Sequence, residues 1–138
     1  MSATLLERDV TVSELVMDAG LPGFPDAHRF LLRRLGGAAS PFSVLRCLDV
    51  EGLDFVVAAP GSFFPDYEPR LDSAAVDRLG ITDADDVMVL VIVTPGTSPG
   101  DATANLLGPV VVNRHTLQAA QVVQASADAD VRVPLPSR

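Results

Sequence analysis

Seven consecutive apolar residues, Val87-Met88-Val89-Leu90-Val91-Ile92-Val93, constrain this chain more than any other feature. Five of the seven are β-branched, which favours a strand over a helix. The absence of alternation implies apolar cover on both faces of that strand. As a helix the run is far too short to cross a bilayer, which needs about twenty residues. Shorter runs of the same kind predict further strands at Asp9–Ser13, Arg29–Leu35, Phe42–Leu48, Asp54–Ala59, Ala104–Val112 and Gln118–Gln124, with the apolar run itself extending over Val87–Thr94. Between them lie turn signals: Gly20-Leu21-Pro22-Gly23, Gly36-Gly37, Glu51-Gly52, Pro60-Gly61 and Pro95 through Gly100. Strands of this length, punctuated in this way and rarely separated by helices, predict a mainly β fold. The expected architecture is a compact antiparallel barrel-like single domain with one or two short helices. The chain of 138 residues suits one core, with the domain expected over residues 1–125 and a frayed tail over 126–138.

One stretch between the strands reads as a helix. Asp72 is placed to cap its N-terminus, Leu71 and Val76 stand at the two positions of a hydrophobic staple, and Gly80 is placed to end it. Thr82 with Asp85 resembles a second, single-turn capping box. The same region carries the charge. The formal net charge is −8, from 18 acids and 10 basic residues, all of them arginine. Ten of the acids lie between Asp49 and Asp86 against only Arg70 and Arg78, so that one segment accounts for the whole imbalance. Such a surface repels nucleic acid and anionic membrane, which leaves a basic protein as the natural partner.

Motifs for chemistry are missing. Cys47 lies in the apolar run Val44–Leu48 and reads as a buried structural thiol. His28 and His115 have no metal-ligand spacing, and Asp83, Asp85 and Asp86 lack the glycine and terminal glutamate of a calcium loop. Asp66 and Glu68 would share a face if extended, but no nucleophile accompanies them, and Gly96–Gly100 leads into a strand, not into a helix that could cradle phosphate. No enzyme, no metal and no cofactor is expected. The N-terminal residues carry Glu7 and Asp9 and no long apolar core, so a cytoplasmic location is expected.

The unusual segment is Ser62-Phe63-Phe64-Pro65-Asp66-Tyr67-Glu68-Pro69, which gathers two of six Phe and the sole Tyr between prolines and carboxylates. The prolines confine it to an edge or a loop-borne strand, and alternation would put one of Phe63 and Phe64 inside and the other outside. Two roles fit: aromatics that pin the loop to the core, or an exposed apolar anchor ringed by acids for a basic partner.

At these residues the sequence resembles the flagellar assembly factor FliW family. The likeness runs from about Leu21 to Val123. It includes Gly20-Leu21-Pro22-Gly23-Phe24, Pro41-Phe42 with Leu45 and Asp49, Phe63-Phe64-Pro65-Asp66-Tyr67-Glu68, Leu79-Gly80-Ile81, and Asn105-Leu106-Leu107-Gly108-Pro109-Val110-Val111-Val112-Asn113. The resemblance implies a non-enzymatic, monomeric regulator with a β-barrel-like fold. It implies binding to the translational repressor CsrA, away from the RNA-binding surface, and to flagellin, which competes for the same regulator. Combined with the charge, it nominates Phe63, Phe64, Asp66, Tyr67, Glu68, Asp72 and Asn105 as partner-binding residues, with Phe64 and Tyr67 as exposed anchors and Asp77, Asp83 and Asp85 assisting. A competing expectation is a small-molecule-binding barrel with a pocket near Asn105 and Asn113, or a generic acidic interaction module.

Overall fold

The computed structural model describes residues 12–36, 40–97, 101–124 and 132–136. Seven strands follow one another as an antiparallel meander: β1 (Val12–Val16), β2 (Arg29–Arg34), β3 (Phe42–Cys47), β4 (Asp54–Ala58), β5 (Val87–Thr94), β6 (Thr103–Asn113) and β7 (Ala119–Gln121). An eighth, β8 (Val133–Pro134), pairs with the far end of β6. A meander with an odd number of strands brings its first and last members together in parallel. Here that meeting is a parallel bridge between Val16 and Gln118, with the Val16 N–H donating to the Leu117 carbonyl at 3.0 Å. The sheet thereby curls into a nearly closed barrel, as the turn spacing predicted.

The apolar run of β5 shows why it needed no alternation. Met88, Leu90 and Ile92 face the main core, where Phe30, Leu15, Leu45 and Val110 are fully buried. Val91 and Val93 face a second cluster with Ala58, Ala104 and Leu106. Val87 joins a third with Leu79, Val111 and Ala120. Cys47 is buried in the main core. Asp49 lies just beyond β3, where its Oδ2 accepts from the backbone N–H groups of His28 (2.8 Å) and Arg29 (2.7 Å). Those two donors hold its carboxyl below the usual carboxylate range. The motif aspartate thus fixes the entry to β2.

Four expectations shift. The first strand runs on to Val16, past the expected end at Ser13, and the expected residues 9–11 lie outside those described. The last long strand is shorter than Gln118–Gln124, because beyond Gln121 its partner β6 leaves the regular ladder. Between β5 and β6 the register passes from Leu90↔Val110 to Ile92↔Asn105, which leaves Leu106–Pro109 bulged out opposite Val91. Val122 and Gln124 still donate their backbone N–H groups to Pro109 (2.9 Å) and Leu107 (2.7 Å), so the chain follows the bulge without forming a strand. Third, the sequence reading expects a frayed tail, but Val133 and Leu135 pack on the second cluster and Leu135 N–H donates to the Ala102 carbonyl at 3.0 Å. Of that tail, residues 126–131 and 137–138 lie outside those described.

The fourth concerns the capping box. The first helix, α1 (Ser73–Leu79), forms as the sequence predicts: Asp72 Oδ1 accepts from the Ala75 N–H at 2.8 Å, and Gly80 adopts the left-handed conformation at φ 66°. Ile81 N–H to Val76 O and Gly80 N–H to Asp77 O complete a Schellman motif, closing two of the helix's last carbonyls. In the following 3₁₀ turn (Ala84–Asp86), however, the cap is Asp83, whose Oδ1 accepts from the Asp85 N–H at 3.0 Å. Thr82 instead donates its hydroxyl to Asp86 Oδ2 at 3.1 Å. An aspartate at position 85 is one carbon too short to reach back as a glutamate does.

Candidate partner-binding site

The acidic insert between β4 and β5 begins with a 3₁₀ turn (Pro60–Ser62) and then a tight turn in which Tyr67 N–H donates to the Phe64 carbonyl at 3.0 Å. It is a loop, not the extended edge strand expected, because Pro60, Pro65 and Pro69 favour turns and withhold ladder donors. Phe63 and Phe64 are both half-buried against the second core cluster, so neither is the outward member of an alternating pair. Phe63 packs at a tilt on Phe42, ring centroids 5.5 Å apart, and 6.5 Å from Phe64.

Tyr67 corrects the second anchor expectation in the same way. Its ring is half-buried in that cluster and its O–H donates to the Leu106 carbonyl at 2.7 Å. Burial pushes its hydroxyl up to about 12. The aromatics of the loop therefore pin it to the core rather than project from it. Among the described residues the most exposed large apolar side chains are Val123 (68 %), Leu35, Phe24 and Leu48.

Leu106 belongs to the β6 bulge, and several polar groups converge there. Asn105 Oδ1 accepts from the N–H groups of Leu107 (3.1 Å) and Gly108 (3.0 Å), shaping the bulge from within. Gln121 Nε2 donates to the Gly108 carbonyl at 2.8 Å, and a Cβ on Gly108 would stand 2.5 Å from that same nitrogen. Gln124, buried at 8 % exposure, clasps the other side of the loop: its Oε1 accepts from Arg70 N–H (2.7 Å) and its Nε2 donates to the Arg70 carbonyl (3.1 Å). A primary amide bonded to both backbone groups of one residue imitates a strand neighbour. The two sequence motifs, residues 63–68 and 105–113, thus meet through Tyr67 and Leu106. Gln121 and Gln124 were not foreseen: a glutamine in a strand pattern gives no local signal of such reach.

Asn105 and Asn113 both spend their side chains on the protein's own backbone. Asn113, at 3 % exposure, donates Nδ2 to the Leu79 carbonyl (2.8 Å) and accepts at Oδ1 from His115 N–H (2.8 Å) and Thr116 N–H (3.2 Å). It ties the end of α1 to the β6–β7 turn. In that turn Leu117 holds φ at 64°, a conformation costing a non-glycine residue about 1 kcal/mol or more.

The ten acids of the segment now divide. Asp49, Asp72, Asp83 and Asp86 bond to the protein's own N–H or O–H groups, and Asp54 accepts from Arg46 at 3.3 Å. Asp86 also meets His115 Nε2 at 2.7 Å, and that hydrogen bond, offset partly by burial, lowers its pKa. Glu51, Asp66, Glu68, Asp77 and Asp85 are exposed, and among the described residues no hydrogen bond or ion pair engages their carboxylates. Among those residues there is also no group of three or more His, Cys, Asp or Glu side chains arranged to hold a metal ion, and no helix long and apolar enough to cross a membrane. Beside the free acids, Glu68, Arg70, Leu71 and Asp72 face Val122, Val123 and Gln124 across an open cleft of about 650 Å³.

The arrangement is a rigid loop and capped helix presenting unpaired carboxylates beside an apolar cleft. Known proteins resemble the chain in sequence and in fold. The family model described as FliW protein matches residues 4–135. The chain is 43 % identical over 104 residues to the flagellar assembly factor FliW of Bacillus pumilus, covering 75 % of this chain and 72 % of that protein. It is 41 % identical over 120 residues to that of Bacillus licheniformis, covering 87 % and 81 %. A crystal structure of the flagellar assembly factor FliW superposes with a TM-score of 0.83 at 32 % identity, covering 91 % of this chain and 87 % of that one. With the family model matching nearly its whole length and relatives more than 40 % identical, the chain belongs to the FliW family.

Proposed function

We propose that this protein acts in flagellar assembly as a non-enzymatic, cytoplasmic regulator, monomeric on its own, that binds the translational repressor CsrA and flagellin. Binding to CsrA away from its RNA-contacting surface relieves repression of flagellin synthesis. Flagellin competes for the regulator, so the free regulator reports how much flagellin awaits export. The protein then governs an RNA without touching it, in keeping with its net charge of −8.

The observation that supports this reading is the split among the acids. The carboxylates of Asp66, Glu68, Asp77 and Asp85 are left to solvent on a segment whose backbone is tied down at Tyr67, Asp72 and Gln124. A fixed array of like charges steers a basic partner and speeds encounter, while contributing little to the bound state by itself. Native mass spectrometry of the protein mixed with CsrA and with flagellin from the same cell tests the proposal. One-to-one or higher complexes with each are expected, and displacement of CsrA by added flagellin. Complexes with neither would overturn it.

A further inference from the structure

We propose that residues 132–136 are a releasable guard strand: docked, they close one end of the β6 edge, and released, they leave that edge to pair antiparallel with β6 of a second copy. The inference stands apart from the functional reading above, and each fails by its own test.

β6 runs for 11 residues, and β7 covers only Val110–Val112 of its outer edge. The remainder is closed piece by piece. The Leu106 carbonyl is taken by the Tyr67 hydroxyl at 2.7 Å. β8 meets Thr103 and Ala104, and just past it the Leu135 N–H donates to the Ala102 carbonyl at 3.0 Å. Bonded pairs alternate along an antiparallel ladder, so Pro134, opposite Thr103, sits at a non-bonded position and turns its nitrogen away from β6. The missing N–H costs the ladder nothing there and denies a donor to any further strand. A proline so placed ends a sheet rather than extends it.

The guard is held lightly over an apolar seat. Its ladder is two pairs long, and only Val133 and Leu135 are half-buried on the second cluster, with Arg132, Pro134 and Pro136 exposed. Segments held by so few contacts open at the low-stability end of a fold. Once it lifts, Ala102 and Ala104 present unpaired main-chain groups beside the apolar cluster of Ala58, Val91 and Val93. That edge is complementary to itself. With a two-fold axis at Thr103, Ala102 of one copy stands opposite Ala104 of the other, and the groups that served β8 bond to each other. The side chains at the crossing are small, Ala-Thr-Ala, so two copies can approach to ladder distance.

The test is sedimentation velocity with amide exchange on the full chain, comparing the wild type with a Val133→Asp/Leu135→Asp double variant. About 0.5 M salt screens the net charge of −8, which otherwise keeps copies apart. Retained slow exchange at Val110 and Val112 checks that the barrel persists. The wild type is expected as a monomer with the Leu135 and Ala104 amides protected. The double variant should lose Ala104 protection about tenfold or more when dilute, then dimerise as concentration rises, with that protection returning in the dimer. A peptide of residues 131–138 at millimolar concentration should break the dimer, and the same peptide carrying both aspartates should not. A double variant that stays monomeric overturns the proposal. So does a dimer in which Ala104 still exchanges fast, or one that the peptide leaves intact, because association then arises elsewhere. A wild type that dimerises as readily as the variant would show that β8 guards nothing.

Discussion

The two halves of the acidic insert are held in different ways. Residues 72–81 form a helix whose closing bonds lie within the segment: Asp72 to Ala75, Gly80 to Asp77, Ile81 to Val76. Residues 60–71 form a loop whose decisive bonds reach residues 39 and 54 positions away, from Tyr67 to Leu106 and between Arg70 and Gln124. The first is stabilised by local geometry and the second by the barrel it lies on. The helix therefore keeps its shape by itself once docked, whereas the loop's shape depends on one bulge in β6.

Breaking the loop's anchor has the largest expected effect. Tyr67→Ala removes a half-buried ring and leaves the Leu106 carbonyl without its donor, at a cost of about 2–3 kcal/mol read as a fall in unfolding midpoint. Amide exchange in residues 60–71 should accelerate well before that of Val76 or Gly80. Equal acceleration in both halves would show that they are not separately supported. Next, Gln124→Ala strips both backbone partners from Arg70 and costs about 1–2 kcal/mol, with the Arg70 amide losing protection most. Asp72→Ala costs about 1 kcal/mol and acts on the helix half alone, while Asp72→Asn retains a capping oxygen and loses only the charge. That pair separates the structural from the steering role of one residue, which a charge reversal would confound.

Two pH responses sharpen the comparison further. Tyr67 is the sole tyrosine, so ultraviolet absorbance follows it without ambiguity, and its midpoint should lie near 12 in the folded protein. A raised pKa in the folded state means stability that is complete below the unfolded value of about 10 and is lost as pH rises towards 12. The Tyr67→Phe variant should lose that alkaline dependence. The smallest effect belongs to Asp86, whose pKa is depressed chiefly by His115. Its contribution is present above the ordinary carboxylate value of about 3.9 and disappears as pH falls through the lower folded value, so His115→Ala should make the acid limb shallower.

What could be read beforehand follows the same division. The α1 caps and the doubly covered strand β5 are written in contiguous residues, and both appear where expected. The antiparallel barrel-like class also followed from strand spacing. The expected exposure of Phe64 and Tyr67 fails, and the bonds of Tyr67 and Asn105 go to a bulge that no local pattern announces, since Leu106–Pro109 look like any other part of a strand. An aromatic beside carboxylates looks the same whether it faces water or a neighbouring strand. Only the partner's identity as Leu106 O distinguishes them for Tyr67. The capping aspartate at 83 in place of Thr82 shows a subtler limit, one carbon of side-chain length.

The parallel meeting of Val16 with Gln118 has a mechanical consequence. Every other neighbouring pair in the meander shares a ladder of three or more residues, whereas among the described residues this seam is one rung wide and its loss would cut no strand from the sheet. The protein can unzip there like a cuff with a single button, leaving a continuous curved sheet with two bare margins. Those margins would invite pairing with other chains. The left-handed Leu117 that offers its carbonyl to Val16 is thus the clasp that joins the two ends of the meander.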